Sequence, residues 1–327
     1  MEVAIVILNW NGKNWLEKFL SSVVENSKEA KVFVIDNAST DNSIDYLKNN
    51  FPEVEIIIND KNYGFAGGYN EGLKKIKAEV YCLLNSDVEV TPNWISPIIN
   101  LFKKNPEIAA IQPKIKSYNQ KEYFEFAGAA GGLIDNLGYP YCRGRIFDEV
   151  EKDTGQYDDE KEIFWASGCS LFIRSEDFWK QNGFDERFFA HQEEIDLCWR
   201  LINSGRKIFY TSQSVVYHVG GGTLNKQSTQ KTFLNFRNNL TMLLKNLPLS
   251  KVFFVIFIRL CLDGIAGLLF WKQLGFAHLW AVVRAHFSFY IQSIGTWKLR
   301  QKKTIKQYYH TRYIIISHFI LKQKKYD

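Results

Sequence analysis

The stretch Val80-Tyr81-Cys82-Leu83-Leu84-Asn85-Ser86-Asp87-Val88-Glu89-Val90 decides the fold that the sequence predicts. Its first part is an uninterrupted apolar run, which is typical of a strand buried on both faces of a parallel sheet. The run ends abruptly in Asn85-Ser86-Asp87, at the carboxyl end of that strand, where open α/β sheets bind ligands. Asp87 is therefore a candidate ligand-binding residue, although Asp is equally common as a simple turn residue.

Strands and helices alternate on both sides of this stretch. Short apolar runs predict strands, and apolar residues at helical spacing predict the helices between them. Because the connections are short, this order favours a doubly wound, mainly parallel sheet. The predicted strands are 3–8, 31–35, 54–58, 80–85 and 108–111, and the predicted helices are 15–26, 43–50, one ending at residue 76, and 92–104.

The middle of the chain is less regular. Residues 113–162 are rich in Gly, Tyr and charge, which predicts loops and a hairpin lying across the site. The core resumes at 163–174, an apolar run broken by Ser167-Gly168, and Gly inside such a run often marks a close backbone approach. A helix at 193–204 and two short strands at 207–210 and 215–219 follow.

Several common sites are excluded by their motifs. The turn after the first strand is Asn9-Trp10-Asn11-Gly12, which is neither a dinucleotide-binding fingerprint nor a P-loop. The five scattered cysteines form no disulfide or zinc pattern. The N-terminus predicts a first strand and no signal peptide. A glycine-rich turn at 64–72 opens a helix; it can present backbone N–H groups to an anion or serve tight helix packing.

Two further groups of polar residues are candidates for chemistry. Glu193, Glu194 and Asp196 crowd the first turn of a predicted helix, where carboxylates complement the helix dipole, and one of them can lie in a shielded site. The dipole predicts that Glu194 stays ionised. His218 precedes glycines that begin at Gly220, so it is a candidate metal ligand as well as a candidate structural residue.

Five motifs, in this order along the chain, resemble the inverting family 2 glycosyltransferases. That family has the GT-A nucleotide-diphospho-sugar transferase fold, a Rossmann-like, mainly parallel α/β sheet. The resemblance covers about residues 3–240. Within the family, the sequence is similar in particular to the bacterial rhamnosyltransferase-type members. The motifs lie at 6–12, 36–41, 62–72, 85–87 and 184–200.

The resemblance implies site residues by position, and two motifs depart from the family pattern. The family's D-x-D metal motif is Asn85-Ser86-Asp87 here, so an amide replaces the first carboxylate. The family's E-D pair is Glu193-Glu194, so the implied base is one methylene longer. The implied residues are Glu194 and Glu193 for catalysis; Asn9, Asn11, Asp36, Asn62, Gly64, Asn70, Asn85 and Ser86 for nucleotide binding; Asp87 and His218 for the metal; and Trp165, Ser167 and Gly168 for the acceptor.

The implied function is that of a metal-dependent inverting glycosyltransferase, a hexosyltransferase similar to rhamnosyltransferases. It would take a UDP- or dTDP-linked sugar and transfer it to a saccharide acceptor, lipid-linked, for cell-surface polysaccharide synthesis. Such a displacement needs a base for the acceptor hydroxyl and positive charge for the departing diphosphate. Mg²⁺ or Mn²⁺ suits an Asp ligand, and an imidazole shifts preference toward Mn²⁺.

The C-terminal region differs in composition from the rest. Residues 241–327 hold 14 Lys and Arg against two acidic residues, a net charge of +12, while residues 1–240 carry −6. We therefore expect a transferase domain at 1–240 and a basic, aromatic helical extension at 241–327. Two apolar stretches, 252–271 and 274–294, contain charged residues, with Arg259 and Asp263 spaced to pair.

This composition predicts helices lying at the surface of an anionic membrane, which places the protein peripherally on the cytoplasmic, inner face of the cell membrane. A soluble helical subdomain or a dimer interface is the alternative. The region contains no recognisable nucleic-acid module.

Two other functions compete with the leading one. A catalytically silent nucleotide-sugar-binding or scaffold protein is suggested by Asn85, although Asp87, Glu194 and His218 are all present. A sugar-1-phosphate nucleotidyltransferase would need a basic, glycine-rich N-terminal loop, which residues 9–12 do not provide.

Overall fold

Nine strands form the central sheet in a computed structural model of the protein, which describes residues 1–220 and 228–325. Eight of them run in one continuous order, 160–163, 207–218, 108–117, 170–174, 80–84, 3–9, 31–36 and 55–58, and the ninth, 88–90, pairs with 207–218. The strands of this sheet that precede residue 118 are β1 (Val3–Asn9), β2 (Lys31–Asp36), β3 (Glu55–Ile58), β4 (Val80–Leu84), β5 (Val88–Val90) and β6 (Ile108–Ser117). Its last three strands are β11 (Glu160–Ile163), β12 (Ser170–Arg174) and β13 (Lys207–His218). The numbers β7 to β10 belong to a second sheet, described below.

Half of this sheet is parallel, as predicted. β1 pairs in parallel with both β2 and β4, and β2 pairs in parallel with β3. Alternate residues of β1 enter two separate cores: Ile5 and Ile7 pack on one face of the sheet, and Ala4 and Val6 on the other. Because both faces of β1 are covered, the strand is apolar throughout. This continuous apolar run is the pattern from which the sequence predicts a buried parallel strand.

The other half of the sheet departs from the prediction. β12 is antiparallel to both β4 and β6, so the sheet is mixed. The strands predicted at 207–210 and 215–219 are one strand, β13, which continues through a bulge between Thr211 and Val215. Thr211 lies opposite Pro113 of β6, which has no N–H to donate, so the bulge begins where the ladder lacks a donor.

Residues 113–162 hold more structure than the predicted loops and hairpin. A second, antiparallel sheet contains four very short strands in the order β10-β9-β8-β7. Its strands are β7 (Gly132–Ile134), β8 (Pro140–Cys142), β9 (Arg145–Ile146) and β10 (Glu149–Val150).

Nine α-helices occur in the described part of the chain. They are α1 (Lys13–Glu25), α2 (Ser43–Asn50), α3 (Gly64–Leu73), α4 (Ile95–Lys104), α5 (Ser175–Lys180), α6 (Glu193–Asn203), α7 (Thr229–Asn246), α8 (Leu249–Leu274) and α9 (Phe276–Lys298), with a 3₁₀ helix at Glu186–Phe188 and a π-helix at Ile316–Ile320.

The helix α7 connects the two regions that the sequence separates at residue 240, because it continues from 229 to 246. Its Lys245 is buried, and the ammonium lies 2.7 Å from Asp185 and 2.8 Å from Asp196 of α6. Arg200 also pairs with Asp196, at 2.8 Å. A buried network of charges therefore holds α7 against α6 and the segment before it.

The helix α8 is long and apolar enough to cross a membrane by length and composition alone, with a mean hydropathy of 2.3 over its most apolar window. Arg259 and Asp263 do not face outward: both are buried and lie 3.5 Å apart, which confirms the predicted pairing. The opposite face of the hairpin formed by α8 and α9 exposes large apolar side chains, including Phe253, Phe257 and Ile291.

Candidate active site

The carboxyl ends of β1 and β2 bring Asn9 and Asp36 side by side, as the parallel register requires. Both side chains are buried, and the Asn9 amide donates to Asp36 Oδ1 at 2.9 Å. The backbone N–H of Ser39 donates to the second oxygen of Asp36. Asn9 Oδ1 has no hydrogen-bond partner, so this edge of the sheet holds a buried acceptor that a ligand can satisfy.

Asn11 links the loops that follow these two strands. Its backbone φ is +50°. Its side-chain oxygen, Oδ1, accepts hydrogen bonds from the backbone N–H groups of Thr40 and Asp41 at 2.7 and 3.2 Å. Ser86, after β4, lies close by, since its hydroxyl is 3.9 Å from where a Cβ on Gly12 would be. The structure thus brings together four of the predicted nucleotide-binding residues, Asn9, Asn11, Asp36 and Ser86.

The loop before α3 is held by Asn62. Its side-chain oxygen accepts from the N–H of Gly64 at 2.8 Å and from the Asn37 amide at 2.9 Å. Gly64 has a φ of +72°, and a Cβ there would lie 2.5 Å from the ring of Phe189. Both observations require glycine at this position.

The glycine-rich turn does not offer its N–H groups to an anion in the way the sequence suggested. The N–H groups of Phe65 and Ala66, at the start of α3, donate to the carbonyl of Phe189 at 2.8 and 3.2 Å. Asn70, in the same helix, is buried and bonded to Phe184 and Glu186. Asn70 therefore ties α3 to the segment before α6, and the expectation that it lines an open nucleotide pocket is not met.

Asp87 and His218 come together because β5 pairs antiparallel with β13, with Val88 opposite His218. Both side chains are buried, and Asp87 Oδ1 lies 3.1 Å from His218 Nε2. The Asn85 amide nitrogen is 3.4 Å from the same imidazole nitrogen. The other imidazole nitrogen, Nδ1, lies 3.2 Å from Glu125 Oε2. The glycines after Gly220 that the sequence places next to His218, residues 221–222, lie outside the described residues.

This pair fits a divalent cation. Two ligands that lie about 2.1 Å from one ion at a right angle are about 3 Å apart, which is the separation of Asp87 and His218. Glu125 lies on the side of the imidazole where a carboxylate commonly orients a ligand histidine, but Nδ1 makes no hydrogen bond to it in this conformation. Within residues 1–220 and 228–325, no set of three His, Cys, Asp or Glu side chains is arranged to hold a metal by itself.

The charges of the two residues depend on each other. Burial raises the pKa of Asp87, but the hydrogen bond and charge of His218 outweigh burial and leave this pKa below its ordinary value. Burial lowers the pKa of His218, and the neighbouring Cys169, Glu125 and Asp87 more than reverse this. Metal binding at Nε2 requires that nitrogen to lose its proton, so a cation competes there with the proton that Asp87 stabilises.

A cavity of about 540 Å³ lies next to this pair. It contains the predicted catalytic, metal and acceptor residues together, and its far wall is formed by one face of α8. The residues that line the cavity include Asn85, Asp87, Trp165, Ser167, Gly168, Glu193, Glu194, His218, Arg259, Asp263, Ala266 and Phe270.

Glu193 and Glu194 open α6, and both line the cavity although their side chains start about 100° apart on the helix. In each carboxylate, Oε2 has no hydrogen-bond partner. Burial raises the pKa of Glu194 to about 7. The pKa of Glu193 is also raised well above its ordinary value, first by burial and then by the charge of Glu194. Burial therefore outweighs the helix dipole, which the sequence expected to keep Glu194 ionised.

The three predicted acceptor residues line the cavity on the side of β12. The Trp165 indole N–H donates to the carbonyl of Leu133, and the Ser167 hydroxyl accepts from the N–H of Cys169. Gly168 faces Glu194: a Cβ on this glycine would lie 3.9 Å from the Cβ of Glu194. Gly168 thus keeps open the space next to Glu194.

Sequence reasoning missed some residues of the site. Glu125 and Arg145 come from the segment read as loops, where no periodic pattern marked them. Phe65 lines the cavity from the first turn of α3. Arg259 and Asp263 were noted as a charged pair in an apolar stretch, but nothing local indicated that they face the same cavity as Glu194.

Comparison with known proteins gives consistent matches. The model of the family described as Glycosyl transferase family 2 matches residues 4–179, more than half of the chain. An N-acetylglucosaminyl-diphospho-decaprenol L-rhamnosyltransferase of Mycobacterium tuberculosis is 23% identical over 236 residues, covering 67% of this chain and 76% of that protein.

Two solved structures have a similar fold. The crystal structure of GalNAc-T7 with UDP, GalNAc and Mn²⁺ matches with a TM-score of 0.61 and 19% identity, covering 77% of this chain and 49% of that one. The mannosyltransferase PcManGT of Pyrobaculum calidifontis in complex with GDP-Man and Mn²⁺ matches with a TM-score of 0.53 and 10% identity, covering 90% and 87%. These matches confirm the predicted GT-A fold.

Proposed function

Since this chain belongs to glycosyl transferase family 2 and is a glycosyltransferase, we propose that it moves a sugar from a nucleotide-diphosphate donor to a lipid-linked saccharide acceptor with inversion. The observation that carries the proposal is one cavity holding two carboxylates, Glu193 and Glu194, beside the Asp87–His218 pair. The catalytically silent alternative is not favoured, because the proposed base and both proposed metal ligands line the same cavity.

The nucleoside of the donor would bind at the carboxyl ends of β1 and β2. Asn9 donates to Asp36 there, Asn11 is held by the N–H groups of Thr40 and Asp41, and Asn9 keeps one unused acceptor. Asn62, Gly64, Asn85 and Ser86 would complete the donor site. A UDP- or dTDP-linked sugar is the proposed donor.

Asp87 and His218 would hold a divalent cation, Mg²⁺ or Mn²⁺, with the imidazole favouring Mn²⁺. When bound, the cation supplies positive charge for the diphosphate that leaves. Because the described residues, 1–220 and 228–325, offer no third such ligand here, diphosphate oxygens and water would complete the coordination. Two structures of similar fold contain Mn²⁺ with a nucleotide or nucleotide sugar, which supports this assignment.

Glu194 would act as the base in a single displacement. The acceptor hydroxyl oxygen forms a bond to the anomeric carbon as its proton passes to the Glu194 carboxylate. The electron pair of the bond that breaks leaves with the diphosphate, on the opposite face of the sugar, so the configuration inverts. A pKa of about 7 suits this role, since such a carboxylate is both ionised near neutral pH and basic enough to take a proton.

The acceptor would enter along Trp165, Ser167 and Gly168, toward α8. Because Ala266 and Phe270 of this helix line the same cavity, the site is continuous with an element whose outer face is apolar and exposed. An acceptor with a sugar at one end and a lipid at the other matches this arrangement. The rhamnosyltransferase of M. tuberculosis, whose name specifies a diphospho-decaprenol acceptor, supports both the acceptor class and a rhamnosyl donor.

The exposed apolar faces of α8 and α9 would lie on the inner face of the cell membrane, where the net charge of +12 in residues 241–327 attracts anionic lipids. The proposed location is therefore peripheral, at the cytoplasmic surface, and the proposed role of the product is in cell-surface polysaccharide synthesis.

A donor screen tests the proposal. The protein is mixed with Mn²⁺ and a panel of UDP-, dTDP- and GDP-sugars, and thermal stabilisation and transfer to a polyprenyl-diphospho-N-acetylglucosamine are measured. Transfer with an inverted anomeric configuration, seen by NMR and abolished in Glu194→Gln, supports it. Donor binding without transfer to this acceptor or to any saccharide would favour the silent binding protein.

A further inference from the structure

The segment Phe188–Gln192, which leads into Glu193 and Glu194, has an unfavourable backbone. Phe189, His191 and Gln192 have φ values of +64°, +69° and +69°, which residues other than glycine rarely adopt. Around Phe189 the chain makes a γ-turn, with the Ala190 N–H donating to the Phe188 carbonyl at 2.7 Å. Something outside the segment must hold it in this conformation.

Two buried residues of α7 do so. The two N–H groups of the Asn238 amide reach the carbonyl oxygens of Phe188, Ala190 and His191, which lie 3.0, 2.9 and 2.7 Å from the amide nitrogen, so one N–H is shared between two of them. The Arg237 guanidinium donates to the carbonyls of Arg187 and Phe188 at 2.9 and 3.0 Å. Arg237 also donates to the Asn238 side-chain oxygen at 2.9 Å, which fixes the amide in place.

The same segment is connected to both halves of the site. The carbonyl oxygen of Phe189 accepts hydrogen bonds from the N–H groups of Phe65 and Ala66 in the first turn of α3, and the Phe189 ring packs on Gly64. At its other end, the segment becomes the first turn of α6 with the two carboxylates. A shift of this segment therefore moves the donor-side helix and the proposed base together.

We propose that Arg237 and Asn238 are positioning residues, which hold Phe188–Gln192 so that Glu194 meets the acceptor while α3 keeps its place beside the donor. Neither residue lines the cavity, and both lie beyond the part of the chain that the family model matches. The inference rests on the proposed function only in taking Glu194 as the base. A displacement of about 1 Å in a reacting group can cost about 10²-fold in rate.

The experiment compares Asn238→Ala and Asn238→Asp with Asn203→Ala. Asn203 is also a buried asparagine that donates to a carbonyl, that of Asn246, but it lies at the far end of α6. Asn238→Asp keeps the shape and removes both donors. Arg237→Lys, which retains the charge and loses the fork, is the milder variant if Asn238 variants fold poorly.

Three kinds of measurement are made. They are the melting temperature, the hydrogen exchange of peptides covering 186–194, and steady-state kinetics, which give kcat and the donor KM with dTDP-rhamnose and UDP-hexoses. We expect faster exchange in 186–194 for the Asn238 variants, a loss of kcat of about 10–10²-fold and a smaller rise of KM. Asn203→Ala should lower the melting temperature while leaving kcat within about twofold, because it does not touch this segment.

Either of two kinds of result would overturn the inference, one in the exchange data and one in the kinetics. One is unchanged exchange in 186–194 when Asn238 loses its amide. The other is faster exchange with a wild-type kcat, or an equal loss of kcat in Asn203→Ala, since either would make the contacts merely structural. If the wild type transfers no sugar from any donor, the proposed function fails, while the exchange data still decide whether α7 holds the segment.

Discussion

Replacing Glu194 by Gln tests the proposed base most directly, because it keeps the shape of the side chain and removes its ability to take a proton. Glu194 lines the cavity next to Gly168, and one of its oxygens has no partner. We expect Glu194→Gln to bind donor and metal nearly as the wild type does and to lose about 10²–10⁴-fold in turnover, the usual contribution of general base catalysis.

The raised pKa of Glu194 adds a pH dependence that can be calculated. With a pKa of about 7, the carboxylate is about 90% ionised at pH 8 and about 10% ionised at pH 6. Because only the ionised form accepts a proton, the wild-type rate at saturating donor should fall roughly tenfold from pH 8 to pH 6. Glu194→Gln should show no such fall.

The same pKa shift predicts an opposite effect on stability. Burial raises this pKa from 4.5 to about 7, so the folded protein binds the proton more tightly than the unfolded chain does. The resulting stabilisation is complete below about pH 4.5 and is lost as the pH rises through about 7. Since Gln does not titrate, Glu194→Gln should gain up to about 3 kcal/mol over the wild type between pH 4.5 and pH 8.

The assay is single-turnover transfer at saturating donor from pH 5.5 to 8.5, together with thermal unfolding over the same range, for the wild type, Glu194→Gln, Glu194→Asp and Glu193→Gln. Glu194→Asp should retain some activity, and Glu193→Gln should affect both binding and rate through positioning. Transfer by Glu194→Gln at the wild-type rate would refute the assignment. Glu193 would then be the remaining candidate, because Asp196 is fully engaged by Arg200, Lys245 and Asn246.

Three other predictions concern the metal, the tail and the donor-side loop. Asp87→Ala should abolish Mn²⁺-dependent binding of UDP, and His218→Ala should weaken it, as measured by calorimetry; equal affinity in Asp87→Ala and wild type would contradict the metal site. The protein should co-sediment with anionic liposomes at low salt and less so at high salt, whereas full solubility would make the tail a subdomain or an oligomer interface. Gly64→Ala should destabilise the protein by about 1–3 kcal/mol in thermal unfolding, because the new Cβ meets the Phe189 ring at a positive φ; an unchanged melting temperature would show that the loop can rearrange.

The parallel half of the fold was predictable because its signals are local. β1 and β4 are continuous apolar runs, and a polar residue at the end of each run marks the edge where ligands bind. The antiparallel β12 carries the same kind of apolar run, and its direction is set by pairing with β4 and β6, which no local pattern reveals. The strands β7 to β10 have only two or three residues each, too few to show a period.

The candidate site also contains some residues that a local sequence pattern marks and others that only the fold brings to the site. Asp87, Glu194 and His218 stood out because each follows or opens an element, and the structure brings them to one cavity. Glu125 did not, because its importance comes only from its distance to His218. Asn70 was placed correctly in its helix, but its side chain bonds to a segment that the sequence could not show to be a neighbour.

The buried Lys245 limits how this protein could be recombined with its relatives. The charge pattern suggests a break near residue 240, yet a chain joined there would exchange the last turn of α7 and with it the lysine that Asp185 and Asp196 require. A chimera lacking this lysine would leave Asp185 with Arg187 and Asp196 with Arg200 as their remaining cationic partners, and would remove the one cation that links the two carboxylates. The α8–α9 hairpin can therefore be exchanged as a module only when its junction lies after Asn246, and α7 must change together with α6 and the segment before it.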